Sequence, residues 1–357
     1  MSIRDQRQAE FADKWLNSNR RSILNLCPRF GKIRTTINIL NKLNTESILI
    51  AYPDNKIKDN WRNEFIEMGF NDYNVTYTTF LSLKKYTGIT YDIVIFDEIH
   101  LLSGAQIKTA KWLMEFSTCL LGLTGTLSSE SQQILLNELK LPVLATYPIK
   151  QAIDEGVITD YEITVVKVPL DVRLKQYNGK SEKVKFESLT RGIHKLENEE
   201  KNTMFLRLAR MRIIQNSVAK LNKTKELLKE YVDERILVFC GVTKIADSLG
   251  IPSHHSRSPG KELFNAFVTG EFGVNHLAVC KIGNTGVTYK PLNRVIINYF
   301  DSNGENLAQK ILRCMSFEFD NPDKKAHIII ISSTEPAEAK WLFKALEFFD
   351  KTKINYV

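Results

Sequence analysis

Runs of consecutive apolar residues alternate along the chain with stretches in which apolar positions recur every three or four residues. The runs Ser22-Ile23-Leu24-Asn25-Leu26, Ser47 to Tyr52, Val75-Thr76-Tyr77, Ile93 to Phe96 and Leu120 to Leu123 have the length of strands buried on both faces. Between them, Thr35 to Leu43, Lys58 to Met68 and Ala105 to Phe116 carry helical spacing. Near residue 145 the pattern breaks, and Pro142, Pro148, Gly156 and Pro169 punctuate a stretch with one short helix, Ile149 to Glu155. Residues 171–203 are charged and mixed, without a clear strand, and a long helical region follows from Thr203 to Tyr231. The alternation then restarts with Ile236 to Cys240, Leu277 to Cys280, Arg294 to Asn298 and His327 to Ile331. Alternating strands and helices predict parallel α/β sheets, and 357 residues suit two domains joined near residue 150.

Composition narrows the class. The chain is 43% hydrophobic and 25% charged, with no repeats or low-complexity tracts and no apolar run of bilayer length. The segment Met1-Ser2-Ile3-Arg4-Asp5-Gln6-Arg7 lacks the apolar core of a signal peptide. Five scattered cysteines (27, 119, 240, 280 and 314) have no metal-type spacing, so a reducing, cytoplasmic setting is expected, with the thiols buried as small hydrophobes. Host cytoplasm is the equivalent expectation for a viral chain. The net charge of +8 favours an anionic partner such as nucleic acid, although 41 acidic residues are interspersed among 49 basic ones.

Two motifs carry chemistry. Asp97-Glu98-Ile99-His100 directly follows the strand Ile93 to Phe96, which delivers two carboxylates to the carboxyl edge of a parallel sheet, where ligands bind. Adjacent acids repel, and a hydrated magnesium ion on a nucleoside triphosphate relieves that repulsion; the alternative on these residues alone is an ordinary turn with two solvated acids. Upstream, Cys27-Pro28-Arg29-Phe30-Gly31-Lys32 follows a strand and opens a helix, the position of a loop whose backbone N–H groups cradle phosphates while a lysine reaches them. Only Gly31-Lys32 of the full G-x-x-x-x-G-K-[ST] pattern is present. Leu26 replaces the first glycine, and Ile33 stands where a hydroxyl would ligate magnesium. Thr36, one helical turn beyond, is expected to substitute for that hydroxyl through a water.

These residues resemble a superfamily-2 helicase of the DExH-box kind, in the phage and repair group, over nearly the whole chain. Ala51-Tyr52-Pro53 with Trp61 to Phe65 resembles motif Ia, and Val75 to Phe80 resembles motif Ib. Asp97 to His100 resembles the D-E-x-H box, Leu123-Thr124-Gly125-Thr126 motif III (usually Thr-Ala-Thr), and Pro28 to Lys32 an unusual motif I. Ile149 to Tyr161 looks like the crossover into a second domain, Leu237-Val238-Phe239 like motif IV, Asn284 to Thr288 like motif V, and Gln309, Arg313 and Ser316 like motif VI. Arg4 and Gln6 resemble an adenine-reading Q-motif region with atypical spacing.

The resemblance implies two RecA-like parallel-sheet domains in tandem with a nucleotide cleft between them: residues 1–147, a crossover at 148–160, and 161–357. It implies ATP and Mg²⁺ as cofactors. Lys32, Asp97, Glu98, Gln309 and Arg313 would be catalytic, with Asp97 and Glu98 at the metal. Arg4, Gln6, Pro28, Arg29, Phe30, Gly31, Lys32, Ile33 and Gly286 would bind the nucleotide, and His100, Thr124 and Thr126 would couple the site to movement. The implied partner is single-stranded or branched DNA, with RNA as the other substrate, in phage recombination, repair or replication. A nuclease activity would need a separate partner chain, because only Ala337 to Val357 follow the second domain. Ser316 replaces a motif VI arginine whose loss costs about 10³–10⁵ in turnover. With Ile33, it leaves a second reading: a degenerate helicase fold that binds nucleotide and nucleic acid and hardly hydrolyses. His254-His255 reads as a solvated loop, and Trp61 and Phe65, at i and i+4, read as core packing.

Overall fold

The computed structural model describes residues 2–43, 45–271, 273–280, 289, 292, 294–300, 304–312, 315 and 324–357. The chain forms two compact units, residues 1–158 and 159–357.

The first unit runs α1 (Ile3–Leu16), β1 (Arg21–Leu26), α2 (Lys32–Lys42), β2 (Ile48–Tyr52), α3 (Lys56–Glu67), β3 (Val75–Thr79), β4 (Tyr91–Asp97), α4 (Gly104–Glu115), β5 (Ser117–Thr124), α5 (Ser129–Leu139), β6 (Val143–Tyr147) and α6 (Ile149–Asp154). Its six strands are parallel and ordered β3-β2-β4-β5-β1-β6. The apolar runs become strands because helices cover both faces, so every residue of β2 is buried. Local signals set the helix starts. Ser2 and Asp5 form a capping box on α1, and Ser103 and Gln106 form another on α4. The strand order places β4, β5 and β1 side by side. Asp97 pairs in register with Leu123, and Asn25 with Thr124, so three strands end together.

The second unit runs β7 (Asp160–Val168), α7 (Glu182–Asn198), α8 (Met204–Gln215), α9 (Val218–Glu230), β8 (Ile236–Cys240), α10 (Thr243–Asp247), β9 (Ser253–His254), α11 (Glu262–Thr269), β10 (His276–Cys280), β11 (Arg294–Ile297), α12 (Gly304–Ile311), β12 (Lys325–Ser333), α13 (Pro336–Ala345) and β13 (Ile354–Tyr356). Its seven strands are parallel and ordered β13-β7-β12-β11-β8-β10-β9.

The segment read as charged and mixed contains the 17-residue helix α7, and the long helical region divides into α8 and α9. The division has a polar cause. The buried Glu182 carboxylate accepts hydrogen bonds from Ser217 Oγ at 3.0 Å and from the Val218 and Ala219 backbone N–H groups at 2.7 and 3.4 Å. It thereby caps α9 from another helix, a contact invisible to local periodicity. A fully buried ion pair lies behind α13: Lys220 Nζ stands 2.6 Å from Glu338 Oε1, both side chains 0% exposed. Burial lowers the Lys220 pKa against the pull of Glu338. Cys27, Cys119, Cys240 and Cys280 are buried, while Cys314 lies outside the described residues. His254 stacks on Phe264 at 4.3 Å, and His255 Nε2 lies 2.9 Å from Asp247. No helix among the described residues is long and apolar enough to cross a membrane.

Candidate nucleotide site at the edge of the first sheet

The segment from Cys27 to Gly31 leaves the carboxyl end of β1 and turns directly into α2, whose N-cap is Gly31 at φ +100°. That angle suits glycine, and a Cβ there would stand 2.4 Å from Gln8 Nε2 and push the end of that side chain aside. Gln8, buried on α1, donates to the Phe30 carbonyl at 2.8 Å and so holds the loop from the side. From beneath, the fully buried Phe30 ring packs against Phe11 and Tyr147 at centroid distances of 5.7 and 4.8 Å. Arg29 takes a left-handed conformation, φ +69°. The loop backbone is thus fixed before any ligand arrives, with the Phe30 ring in the core and Pro28 and Arg29 half-buried above it.

Lys32, on the first turn of α2, reaches across to the end of β4. Its Nζ lies 2.6 Å from Glu98 Oε1, with 14% and 17% of the two side chains exposed. Burial pulls the Lys32 pKa down, but Glu98 and Asp97 outweigh it and the net shift is upward. Glu98 adopts φ +54°, a conformation costly for a residue with a Cβ and one that concentrates at functional turns. Asp97, only 6% exposed, accepts a hydrogen bond from Trp61 Nε1 at 2.9 Å. Burial, with Glu98 alongside, pushes the Asp97 carboxyl up to about 6, while Lys32 and Trp61 hold it back.

The chain of contacts continues onto β5. His100 Nδ1 lies 3.5 Å from Glu98 Oε2 and 2.8 Å from Thr124 Oγ1. The next residue, Gly125, passes so close to the phosphate loop that a Cβ there would meet the Leu26 carbonyl and Pro28 Cδ, each at 2.9 Å. Thr126 is 2% exposed, and its hydroxyl has no hydrogen-bond partner among the described residues. Lys32, Asp97, Glu98, His100, Thr124 and Thr126 therefore belong to one constellation at the shared edge of β1, β5 and β4.

Other expected residues fall differently. Thr36 is fully buried and its hydroxyl donates to the Lys32 carbonyl at 3.0 Å. Ile33 is half-buried and brings no donor atom. Arg4 is partly buried and donates to the Val157 carbonyl; burial, then Arg34, lowers its pKa. Gln6 is exposed on α1, and the glutamine at the loop is Gln8, two residues later. Gln309 is half-buried on α12 of the second unit, and Arg313, Gly286 and Ser316 lie outside the described residues.

Gln8 goes unnamed in the sequence reading, and the parts played by Gly125 and by the Trp61 N–H escape it. Gln8 and Gly125 act through close approaches between segments far apart in the chain. Trp61 packs in the core with Phe65, rings 5.7 Å apart, as its spacing implies, yet also aims its N–H at Asp97. The available signal was that a buried tryptophan needs an acceptor for its N–H.

No protein-family model matches the chain. A DNA 3'-5' translocase, XPB2 of Sulfurisphaera tokodaii, is 23% identical over 378 residues, spanning 95% of this chain and 83% of the relative. Among solved structures, a fragment assigned to the HsdR subunit of a type I restriction enzyme from Vibrio vulnificus superposes with a TM-score of 0.65 at 14% identity, covering 99% of this chain and 67% of that one. Dbp5 of S. cerevisiae, bound to RNA and ADP BeF3, gives 0.63 at 12% identity, over 98% and 89% of the two chains. Two parallel sheets, of six and seven strands, with the Lys32, Asp97 and Thr124 edge on the first, give this chain the tandem RecA-like fold of those solved structures.

Proposed function

We propose that the protein is an ATP-dependent motor that moves along or remodels nucleic acid, DNA in preference to RNA. The observation that carries this reading is the Lys32–Glu98 ion pair, 2.6 Å long, beside Asp97 at the carboxyl edge of the sheet. A lysine held by the carboxylate that would serve as general base describes a site at rest. When ATP enters, its phosphates compete for Lys32, and Glu98 is released to orient the attacking water and accept its proton. Arg29 and Gly31 would offer backbone N–H groups to the phosphates at the start of α2, while the Phe30 N–H closes the loop on the Cys27 carbonyl at 3.3 Å. Gln8, fixed on the loop, is better placed than Gln6 to sense the nucleotide, with Arg4 alongside.

Magnesium fits the donor set. It is held through one or two carboxylates with water and phosphate oxygens completing the shell, and Asp97 and Glu98 are two carboxylates crowded together without a hydroxyl from position 33. Asp97 would hold the ion, oriented by Trp61. When bound, Mg²⁺ would neutralise charge on the phosphates. His100 and Thr124 would carry the state of Glu98 to the 124–126 turn, whose Gly125 abuts the phosphate loop. Gln309, Arg313 and Gly286 keep the roles their motifs imply.

DNA is preferred because the XPB2 relative is named a DNA translocase and matches over 95% of this chain; the RNA-bound Dbp5 structure is why RNA belongs in the test. Recombination, repair or replication in a phage is the setting the motif set suggests, with cytoplasmic location and any nuclease partner following from it. One observation favours the second reading, a binding module with little hydrolysis: Ile33 offers no oxygen and the Thr36 hydroxyl is already engaged. ATP turnover measured with and without single-stranded DNA, branched DNA and RNA, beside Glu98→Gln, separates the two. The motor should be stimulated by nucleic acid and lose about 10²–10⁴ in turnover in the variant. Turnover that ignores nucleic acid and equals that of the variant would leave only the binding module.

A further inference from the structure

We propose that the groove between α7, α8 and α13 of the second unit is a separate contact for single-stranded nucleic acid, receiving a phosphate on Arg207 and Arg210 and a base against its apolar wall. The inference rests on the nucleic-acid reading above and adds a surface that none of the helicase-like motifs includes. The groove encloses about 450 Å³ and is lined by Phe186, Thr203, Met204, Arg207, Arg210 and Trp341 among others. That volume falls in the range of about 300–1,000 Å³ typical of sites that bury a small ligand.

Its charge is one-sided. Helix α8, Met204 to Gln215, contains three arginines and no acidic residue. Arg207 is already engaged, meeting Glu197 and donating from Nε to Thr203 Oγ1 at 3.0 Å. Arg210 is not neutralised in this way. It is half-buried, its guanidinium sits 5.5 Å from the centroid of the Phe186 ring, and its hydrogen bond goes to Thr190 Oγ1 at 3.3 Å. No carboxylate stands within ion-pair distance of it among the described residues. Burial, followed by the neighbouring Arg207 charge, lowers the Arg210 pKa, so the guanidinium is held where an added anion would relieve it. A phosphate meets that need with paired oxygens in the geometry a guanidinium fork prefers.

The same helix supplies stacking surface. Met204 and Phe205, at its first turn, are 61% and 83% exposed, and Met204 lines the groove. Exposed aromatic and thioether side chains beside arginines on one short helix form the combination that binds single strands with little sequence preference. A strand lying along α8 would set its phosphate on the arginines, one base against Met204 and the groove wall, and the next on Phe205 beside the groove, and it is the occupant that uses both the charge and the exposed apolar surface of this helix.

The test uses the full chain and a fluorescent thymidine oligonucleotide, with affinity measured across salt concentrations for wild type, Arg207→Ala/Arg210→Ala and Phe205→Ala. Losing one bound phosphate should lower the slope of log affinity against log salt by about 0.7, so the double variant, which removes both arginines from that phosphate, should fall by roughly that amount. Phe205→Ala, at a position too exposed to threaten folding, should weaken binding roughly ten-fold without changing that slope. Affinity for a fluorescent ATP analogue should stay at the wild-type value in all three proteins. Wild-type affinity and slope in both variants would overturn the groove while leaving the motor reading intact. Equal competition by poly-glutamate would also overturn it, in favour of a protein partner. A wild-type protein that binds the ATP analogue but no oligonucleotide would overturn the motor reading and the groove together.

Discussion

A single indole N–H distinguishes the way Asp97 is held from that of an ordinary carboxylate at a strand end. Trp61 is completely enclosed and cannot stack on bases, so its polar atom serves the site and its ring serves the core. Removing the donor while keeping the ring tests that division. Trp61→Phe should raise the Mg²⁺ concentration needed for half-maximal turnover by about 10–100-fold, the usual cost of losing a group that orients a metal ligand. Folding should survive, since the ring volume is largely retained. A magnesium titration that overlays that of the wild type would show that Trp61 only packs.

At the scale of elements, the loop from Cys27 to Gly31 is held by neighbours that are remote in sequence. Gly125 lets the end of β5 lie against it, and the alanine usual in the motif that Leu123 to Thr126 resembles would crowd it. Gly125→Ala must displace the Leu26 carbonyl or the Pro28 ring, each 2.9 Å from the new Cβ, at a cost of about 1–3 kcal/mol. ATP affinity should fall roughly ten-fold while Glu98-dependent chemistry persists; unchanged nucleotide affinity in equilibrium titrations would show that the loop gives way without consequence.

Helix α1 is held to α6 by Arg7 Nη2, 2.6 Å from Glu155 Oε1, and Tyr147 donates to the same carboxylate at 2.8 Å. Hydrogen bonding from Arg7 brings the Glu155 carboxyl from 4.5 down to about 2. A carboxylate whose pKa is depressed on folding stabilises fully above its unfolded value and loses that contribution as pH falls through the folded one. The melting-temperature gap between wild type and Glu155→Gln should therefore be constant above pH 4.5 and close as pH falls towards 2. A gap that persists at pH 2 would contradict the ion pair as its source.

For the whole molecule, two compact units with separate sheets imply unfolding that is not a single transition. The buried Lys220–Glu338 pair belongs entirely to the second. Lys220→Met strands a buried carboxylate and should cost about 3–5 kcal/mol, whereas Lys220→Met/Glu338→Gln, whose amide oxygen can still accept the Ser333 N–H, should cost less. In scanning calorimetry the single variant should lower one of two transitions by on the order of 10 °C and leave the other in place. Both transitions moving together would mean that the units unfold as one.

The sequence by itself determined what depends on local pattern. Uninterrupted apolar runs can be satisfied only as strands covered on both sides, and loop and acid motifs are short segments whose order places them at strand ends. Lys32, Asp97, Glu98, His100 and Thr124, singled out from their motifs, lie together at one sheet edge, where the glutamine that touches the loop is Gln8 and the Thr36 hydroxyl meets the Lys32 carbonyl. Tertiary structure decided what depends on distance in space. Strand order sets Lys32 against Glu98 across 66 positions of sequence and Trp61 against Asp97 across 36. The capping of α9 by Glu182 and the placement of α8 beside α13 also join residues with no shared periodicity. Local spacing encodes which face of an element is apolar, but the partner that face or its polar atoms will meet is set only when the elements pack.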